Sequence, residues 1–336
     1  MPREGILFIL VGPSGAGKNT LMKRVQDQLG DLPQLPTATT RAMRPGEKEG
    51  REHRFVTHDQ FQELIDTDAL IEYQPVHMGE LYGTPRQTVE DAITAGQDLI
   101  ADIEFLGAGK IYEAYPNNTV LIFVTPSSLD ILARRIRQRG NHSPDEQINR
   151  LERAKFEMTF APRCQHLILN DILEPAAEHL RQIIKSERIR RRGDPAGNPF
   201  VLARPFCHAA VAALLVQDGK LLAQSDSLDT HLPIFPIEDK TQAPHEVLQR
   251  QIRQALHPAI SVEAILDDRF DFVAPHHVAI ATIPNNNYLY FYYKCLYPGL
   301  DPSELPGWDW HPITALNLPP ALDELVSSVP TPQDFV

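Results

Sequence analysis

Cysteine is scarce in this chain. Its three cysteines, Cys164, Cys207 and Cys295, lie far apart in 336 residues and show no C-x-x-C spacing. That excludes a disulfide framework and a zinc site of the usual spacing, and makes a reducing, cytoplasmic setting the expectation. Long apolar runs are also missing, and none approaches the ~20 residues that span a bilayer. The run Ile6–Val11 is short and leads straight into a glycine loop, which argues against a signal peptide and against a membrane role. Positive charge is in deficit: 32 Lys and Arg stand against 44 Asp and Glu, a net charge of −12. A general nucleic-acid or membrane-surface binder is therefore not expected. A small phosphorylated ligand needs only a local basic pocket and is not excluded. The hydrophobic fraction of 42% suffices for globular cores, and the length predicts two domains.

The most informative stretch is GPSGAGKNT, Gly12 to Thr20. An apolar run precedes it and a helical pattern, Leu21 to Val25, follows. Strand, glycine loop and helix together make a phosphate-binding context. Gly12, Gly15 and Gly17 let successive backbone N–H groups turn toward one anion. The helix start adds its positive end, and Lys18 adds a point charge for the outer phosphates. The pattern G-x-x-x-x-G-K-[ST] fails only at its last place, where Asn19 stands before Thr20. An amide oxygen there could touch Mg²⁺ or its water, less well than a hydroxyl would.

Downstream, Arg41 and Arg44 lie three apart beside threonines and ahead of a Pro-Gly turn, a spacing that suits a second phosphoryl group. Thr57 to Ile65 predicts a helix, and Leu70 to Tyr73 is apolar but for Glu72. GELYGT, Gly79 to Thr84, reads as a turn. A helix over Pro85–Ala95 precedes a strand, Asp98–Glu104, and Thr119–Val124 is a further strand. Acids at the end of such a strand suit a ligand crevice, since the carboxyl ends of strands line it in α/β sheets. Alternating strands and helices predict a parallel α/β sheet.

The ordered set GPSGAGK, TTRAMRPGE, IEY, YGT, ADIE, ARRIRQRG, INRLERA and ILND resembles a guanylate kinase from residue 4 to about 185. The resemblance implies a P-loop NTPase parallel sheet with a lid and a GMP-binding subdomain. It implies phosphoryl transfer from ATP to GMP with Mg²⁺. ATP would then lie on Gly12, Ser14, Gly15, Ala16, Gly17, Lys18, Asn19 and Thr20, with Asn170 on the adenine side. Arg41, Arg44 and Tyr82 would clamp the GMP phosphate. Glu72 would accept from guanine N1 and N2, with Thr37 and Thr84 facing O6. Asp102 would sit near Mg²⁺ or its waters and Glu104 near the nucleotide, while Arg135, Arg139 and Arg150 would close over the phosphates. Three departures, His53 in place of a tyrosine, Asn19 in place of a hydroxyl residue or glycine, and a segment between Glu72 and Tyr82 one residue longer than usual around Met78-Gly79-Glu80, predict weaker GMP binding and lower activity than is usual in the family.

The expected boundaries are a kinase-like domain over 1–186, a linker over 187–204 and a second domain over 205–336. The basic run Ser186–Gly193 reads as a solvated helix end followed by a breaker cluster. From Cys207 onward the order is strand, Asp218-Gly219 hairpin, strand, helix His245–Leu256, then strands Phe270–Val273 and Tyr288–Tyr293 and the segment Trp308–Ile313. This order, closed by the W-x-P-I-x-A-L of Trp310 to Leu316, resembles an α+β Nudix domain. Its catalytic box is absent. Laid on the helix by Arg250, the box puts Pro236 and His257 at its glycines. Gln242, Gln251, Gln254 and Ala255 fall where it needs glutamates. Amides and a methyl cannot hold divalent metal around a pyrophosphate. Glu263, Asp267, Asp268 and Asp271 could rebuild such a site, though a solvated acidic loop is the plainer reading. Such a half could bind a nucleotide, regulate the kinase or pair chains into a homodimer. Two alternatives remain at this point: a kinase of the same fold for a ribose phosphate, and a noncatalytic peptide-binding module of the same fold.

Overall fold

The computed structural model describes residues 3–75, 79–138 and 143–191 of the first half. In the second half it describes residues 208–217, 220–225, 230–232, 234–237, 242–256, 261–262, 266–267, 270–273, 277–283, 286–296, 305 and 308–312.

The first half opens with β1 (Leu7–Val11), every residue of which is buried, as a parallel strand covered on both faces requires. Then come α1 (Lys18–Leu29), β2 (Thr37–Thr39), β3 (His53–Phe55) and α2 (His58–Asp66). Next are β4 (Leu70–Pro75), β5 (Leu81–Pro85), α3 (Arg86–Thr94), β6 (Leu99–Asp102) and α4 (Phe105–Ala114). The half ends with β7 (Thr119–Thr125), α5 (Leu129–Gln138), α6 (Pro144–Met158), β8 (His166–Leu169) and α7 (Leu173–Arg190).

Local chemistry sets several boundaries. Helix α1 begins after Gly17 and ends at Gly30, both in the left-handed region. Thr57 with Gln60, and Ser143 with Glu146, form reciprocal capping boxes for α2 and α6.

By compactness the chain divides into two units. One comprises residues 1–126 and 164–205, the other 127–163 and 206–336.

In the first unit, β6, β1, β7 and β8 form a parallel sheet in that order. Phe8, Leu10, Ile122, Val124 and Ile168 of the sheet pack with Leu21, Met22 and Val25 of α1 and with Leu180 and Ile184 of α7. This is the expected α/β architecture. A second sheet, β3-β2-β5-β4, holds the segment between α1 and α3.

Two expectations are corrected here. GELYGT is not a turn: its Leu81–Thr84 part is strand, and β5 pairs antiparallel with both β2 and β4. Gly83 is there for close packing, because a Cβ on it would meet Leu70 Cδ1 at 2.9 Å and the Glu72 carbonyl at 3.0 Å. The basic run is not wholly solvated either. Helix α7 continues through Arg190, four residues into the span expected to be linker. Arg188 reaches Asp98 at 2.8 Å and Asp31 at 3.0 Å. Asp98 is buried, and its other oxygen accepts from Ile6 N–H at 3.0 Å.

In the second unit, α5 and α6 pack through Leu132, Ile136 and Ala154. Its remaining elements begin with β9 (His208–Leu214), β10 (Val216–Gln217), β11 (Lys220–Ser225), β12 (Thr230–His231), β13 (Ile234–Pro236) and α8 (Pro244–Ala255). They end with β14 (Ser261–Val262), β15 (Leu266–Asp267), β16 (Phe270–Val273), β17 (His277–Ile283), β18 (Asn286–Leu296) and β19 (Asp309–Pro312). One sheet runs β13-β9-β18-β14, with β17 also on β18. Another runs β10-β11-β12, with β19 on β11. Helix α6 packs on β17 within this unit. Among the described residues no helix is long and apolar enough to cross a membrane.

Candidate active site

Gly12, Gly15 and Gly17 all have positive φ, so the loop between β1 and α1 takes a path that side-chain-bearing residues rarely follow. A Cβ on Gly12 would stand 2.1 Å from the Val124 carbonyl oxygen. The loop is also tied from the far side of the sheet. Asn170, after β8, is buried and its amide donates to the Ala16 carbonyl at 2.8 Å. Its own backbone N–H is held by the Thr125 carbonyl, also at 2.8 Å. Lys18 folds over the loop, donating to the Gly12 carbonyl at 2.6 Å, with Nζ 3.6 Å from Asp102 Oδ1. Ser14, Asn19 and Thr20 are exposed.

A cavity of about 690 Å³ lies in the same unit. Of the residues expected at a site, Asn19, Thr37, Arg41, Arg44, His53, Glu72, Tyr82, Asp102 and Glu104 all line it. These come from α1, β2, β3, β4, β5 and the end of β6, with Arg41 and Arg44 from the segment between β2 and β3. Residues up to 85 positions apart in sequence, Asn19 and Glu104, thus meet around one space.

At one part of the lining sits a buried acid. Glu72 is 5% exposed and accepts from the Thr84 hydroxyl at 2.5 Å. Burial pushes its carboxyl above the usual range, opposed by the Thr84 hydrogen bond. Thr84 itself is fully buried, with Glu72 as its hydroxyl's acceptor. A hydroxyl has one hydrogen, and Thr84 spends it on that carboxylate. Gly107 of α4, missed by the sequence reading, makes room for the acid, since a Cβ there would lie 2.6 Å from Glu72 Oε2. Its signal was a glycine inside a helical pattern.

Elsewhere on the lining is a cationic cluster. Arg41 is 6% exposed, with Nε donating to the Tyr82 hydroxyl at 2.7 Å. Glu47, also missed, receives Arg41 Nη2 at 2.8 Å and Nη1 at 3.1 Å. His53 Nδ1 lies 2.7 Å from Thr37 Oγ1, and its ring stands edge-on to Tyr82. Burial, then the positive charge of Arg41, pushes the His53 imidazole below its usual value, so it is neutral at pH 7.

Arg135 and Arg150 stand on α5 and α6, in the other unit. Arg139 lies outside the described residues. In the second half, α8 carries Arg250, Gln251, Gln254 and Ala255 along its length, and Arg250 donates to Gln242 at 2.5 Å. Among the described residues no group of His, Cys, Asp or Glu could hold a metal ion there. Glu263, Asp268 and His257 lie outside the described residues, as do the side chains of Asp267 and Asp271.

The guanylate kinase family matches residues 4–187. The guanylate kinase of Bordetella pertussis is 40% identical over 187 residues, covering 56% of this chain and 86% of that protein. The guanylate kinase of Caulobacter vibrioides is 37% identical over 194 residues, covering 58% and 91%. A crystal structure of guanylate kinase from Anaplasma phagocytophilum is 29% identical over 56% of this chain and 88% of that one, with a TM-score of 0.44. A NUDIX-family hydrolase structure from Clostridium perfringens covers 35% of this chain and 93% of its own at 14% identity, with a TM-score of 0.28, too low to establish a shared fold.

Proposed function

The chain belongs to the guanylate kinase family through residues 4–187, and on that premise we propose how its side chains divide the work. It is an ATP-dependent nucleoside monophosphate kinase that moves the γ-phosphoryl group of ATP onto GMP, giving ADP and GDP. Phosphoryl transfer asks a protein mainly for positioning and for positive charge around a spread negative transition state.

GMP takes the 690 Å³ cavity. The observation that carries this reading is Glu72, a buried carboxylate on a lining that also bears three arginines, Arg41, Arg44 and Arg51. Guanine presents two adjacent N–H donors and adenine does not, so adenine would leave the buried charge unpaired. Thr84 orients Glu72, and the Thr37 hydroxyl pairs with His53. The GMP phosphate is held by Arg41, Arg44 and Tyr82, whose oxygen accepts from Arg41 and whose hydrogen is therefore directed elsewhere. His53 completes this end.

ATP lies on the loop from Gly12 to Thr20, where Lys18 exchanges its carbonyl contacts for phosphate oxygens. Asn170 serves ATP by fixing the loop through Ala16. Asn19, Asp102 and Glu104 line one cavity and offer hard oxygen donors, a set that suits Mg²⁺ held through one or two carboxylates and the substrate phosphates. The ion would neutralise charge on the phosphates during transfer. Arg135, Arg139 and Arg150 belong to the lid.

The second half is a Nudix-like domain without hydrolase activity. Its support is the order of its strands around α8, where Gln251, Gln254 and Ala255 replace the metal-holding carboxylates.

The test is ADP production by the full chain with ATP, Mg²⁺ and GMP, AMP, CMP, UMP or no acceptor. Turnover with GMP alone, abolished by Lys18→Ala, is expected. Equal turnover with AMP would refute the role of Glu72.

A further inference from the structure

Glu47 has no part in the scheme above, yet the cationic end of the cavity is built on it. The Pro45-Gly46 turn, with Gly46 at φ 89°, brings the chain back so that Glu47 N–H donates to the Arg44 carbonyl at 3.1 Å. In return the Arg44 N–H donates to Glu47 Oε2 at 2.7 Å. The carboxylate is thus anchored by backbone before it meets Arg41. It then takes both terminal nitrogens of Arg41, Nη2 on Oε1 at 2.8 Å and Nη1 on Oε2 at 3.1 Å. Nη1 also donates to the Ala42 carbonyl at 2.6 Å, and Nε donates to the Tyr82 hydroxyl at 2.7 Å.

A guanidinium has five N–H bonds in one plane. Four of Arg41's five are spoken for by these contacts, which leaves one Nη2 hydrogen. A charged group with so little exposure has almost no rotational freedom left. Two roles are open to a carboxylate in this position. It could occupy the seat of the incoming phosphate and be displaced, or it could stay and hold the arginine. The backbone anchor favours staying. If Glu47 left, the Arg44 N–H and the Ala42-facing edge of a buried guanidinium would lose their counter-charge together.

Resting on the reading that this cavity takes GMP, we infer that Glu47 is a positioning residue for the acceptor monophosphate. It fixes the Arg41 guanidinium so that its remaining Nη2 hydrogen, the Tyr82 hydroxyl hydrogen and the Arg44 side chain converge on one dianionic phosphate. It also halves the charge of the two-arginine clamp, from +2 to +1, because its carboxylate stays ionised. The Arg41 guanidinium holds that carboxyl down at about 2, so the charge is constant over any working pH.

The experiment compares wild type with Glu47→Gln and Glu47→Asp in the full chain, by calorimetric titration with GMP and separately with ATP, alongside steady-state kinetics and thermal melting. Glu47→Gln keeps the shape but loses the charge, and its amide sets N–H against N–H. Its GMP Kd and KM should rise about ten- to a hundredfold, as for loss of one to two charge-assisted hydrogen bonds. The ATP constants should stay within about twofold and kcat should fall less than about threefold. Glu47→Asp keeps the charge one methylene short and should recover part of the loss. The ratio of GMP KM between the Gln variant and wild type should not change with pH in the range where the Glu47 carboxyl does not titrate. An unchanged GMP Kd overturns the inference, and a tighter one shows that Glu47 is a plug to be displaced. Equal weakening of GMP and ATP with a lowered melting temperature shows a merely structural role and also overturns it. If the Gln variant does not fold, the Asp variant decides on the same readouts. A wild type that binds ATP but no GMP fails the assignment of the cavity itself, whereas normal GMP turnover with indifferent variants fails only the role of Glu47.

Discussion

Replacing Glu72 by Gln tests the site at its most specific point. The carboxylate is buried, held by Thr84 at 2.5 Å and walled by Gly107. In the proposed GMP complex it would accept two N–H bonds as an anion. Glutamine keeps the volume but offers one acceptor, and its NH₂ must face either the Thr84 hydroxyl or a guanine N–H. One charge-assisted bond, worth about 1.5–3 kcal/mol, is lost outright, and an opposed donor pair adds roughly 1–3 kcal/mol. The sum of about 2.5–6 kcal/mol corresponds to a loss of roughly 10²- to 10⁴·⁴-fold in kcat/KM for GMP. Coupled ADP assays over a GMP series, with AMP beside it, read this directly. AMP turnover should rise relative to GMP, since a neutral amide no longer punishes adenine.

The same substitution has a second signature in the ligand-free protein. Burial raises the Glu72 carboxyl in the folded state, so the folded state binds more protons than the unfolded chain between the two pKa values. Relative to an unperturbed Glu, the stability it contributes is full in acid and is lost as pH rises through the raised value. Glu72→Gln should therefore melt near wild type below about pH 4, the ordinary Glu range, and above it at pH 7. A GMP KM within threefold of wild type in a well-folded Gln variant would refute the assignment of Glu72.

Three other substitutions separate the two ends of the nucleotide path. Gly107→Ala should keep the fold without raising its melting temperature, because a helix-propensity gain of about 1 kcal/mol is offset by contacts at 2.6 Å with Glu72 and 3.1 Å with Ile103. Its Cβ would nevertheless displace the Glu72 carboxylate, so GMP KM should rise at least tenfold with ATP KM unchanged. Asn170→Ala removes a buried hydrogen bond to Ala16 at 2.8 Å. A cost of about 1–2 kcal/mol in stability and a raised ATP KM should follow, with GMP binding untouched. His53→Tyr should tighten GMP at pH 7.5, where the native imidazole is neutral. The gain should shrink as pH falls and His53 acquires charge beside the phosphate, and titrations at pH 7.5, 6.5 and 5.5 would show it. A pH-independent ratio of the two affinities would remove His53 from the phosphate end.

The sequence exposes what is local and contiguous. The loop between β1 and α1 is one unbroken motif, and β1 and β7 are apolar runs that only a doubly covered strand would tolerate. What it hides is set by tertiary register. Strand β5 reads as a turn because glycine is usually punctuation. Here Gly83 pairs with Ala38 on one side and Tyr73 on the other, and its missing Cβ is what lets the sheet close. Arg188 looks like part of a solvated charge run because its partners, Asp98 and Asp31, lie 90 and 157 residues away. Glu47 and Gly107 escape notice because neither side chain's role shows in a pattern of residue types. One works through a guanidinium six residues back, the other by occupying no space in α4 next to an acid of β4.

Helices α5 and α6 belong by compactness with residues 206–336, and α6 lies on β17. The extension is therefore fastened to a stretch from the middle of the kinase sequence, not merely appended at its end. The polypeptide passes from one unit to the other near residues 126, 163 and 205, so no single cut yields two self-contained pieces. Shortening the chain after α7 would strip α6 of the strand it rests on. Such a truncated enzyme would report on a disturbed α5–α6 segment as much as on a missing second half.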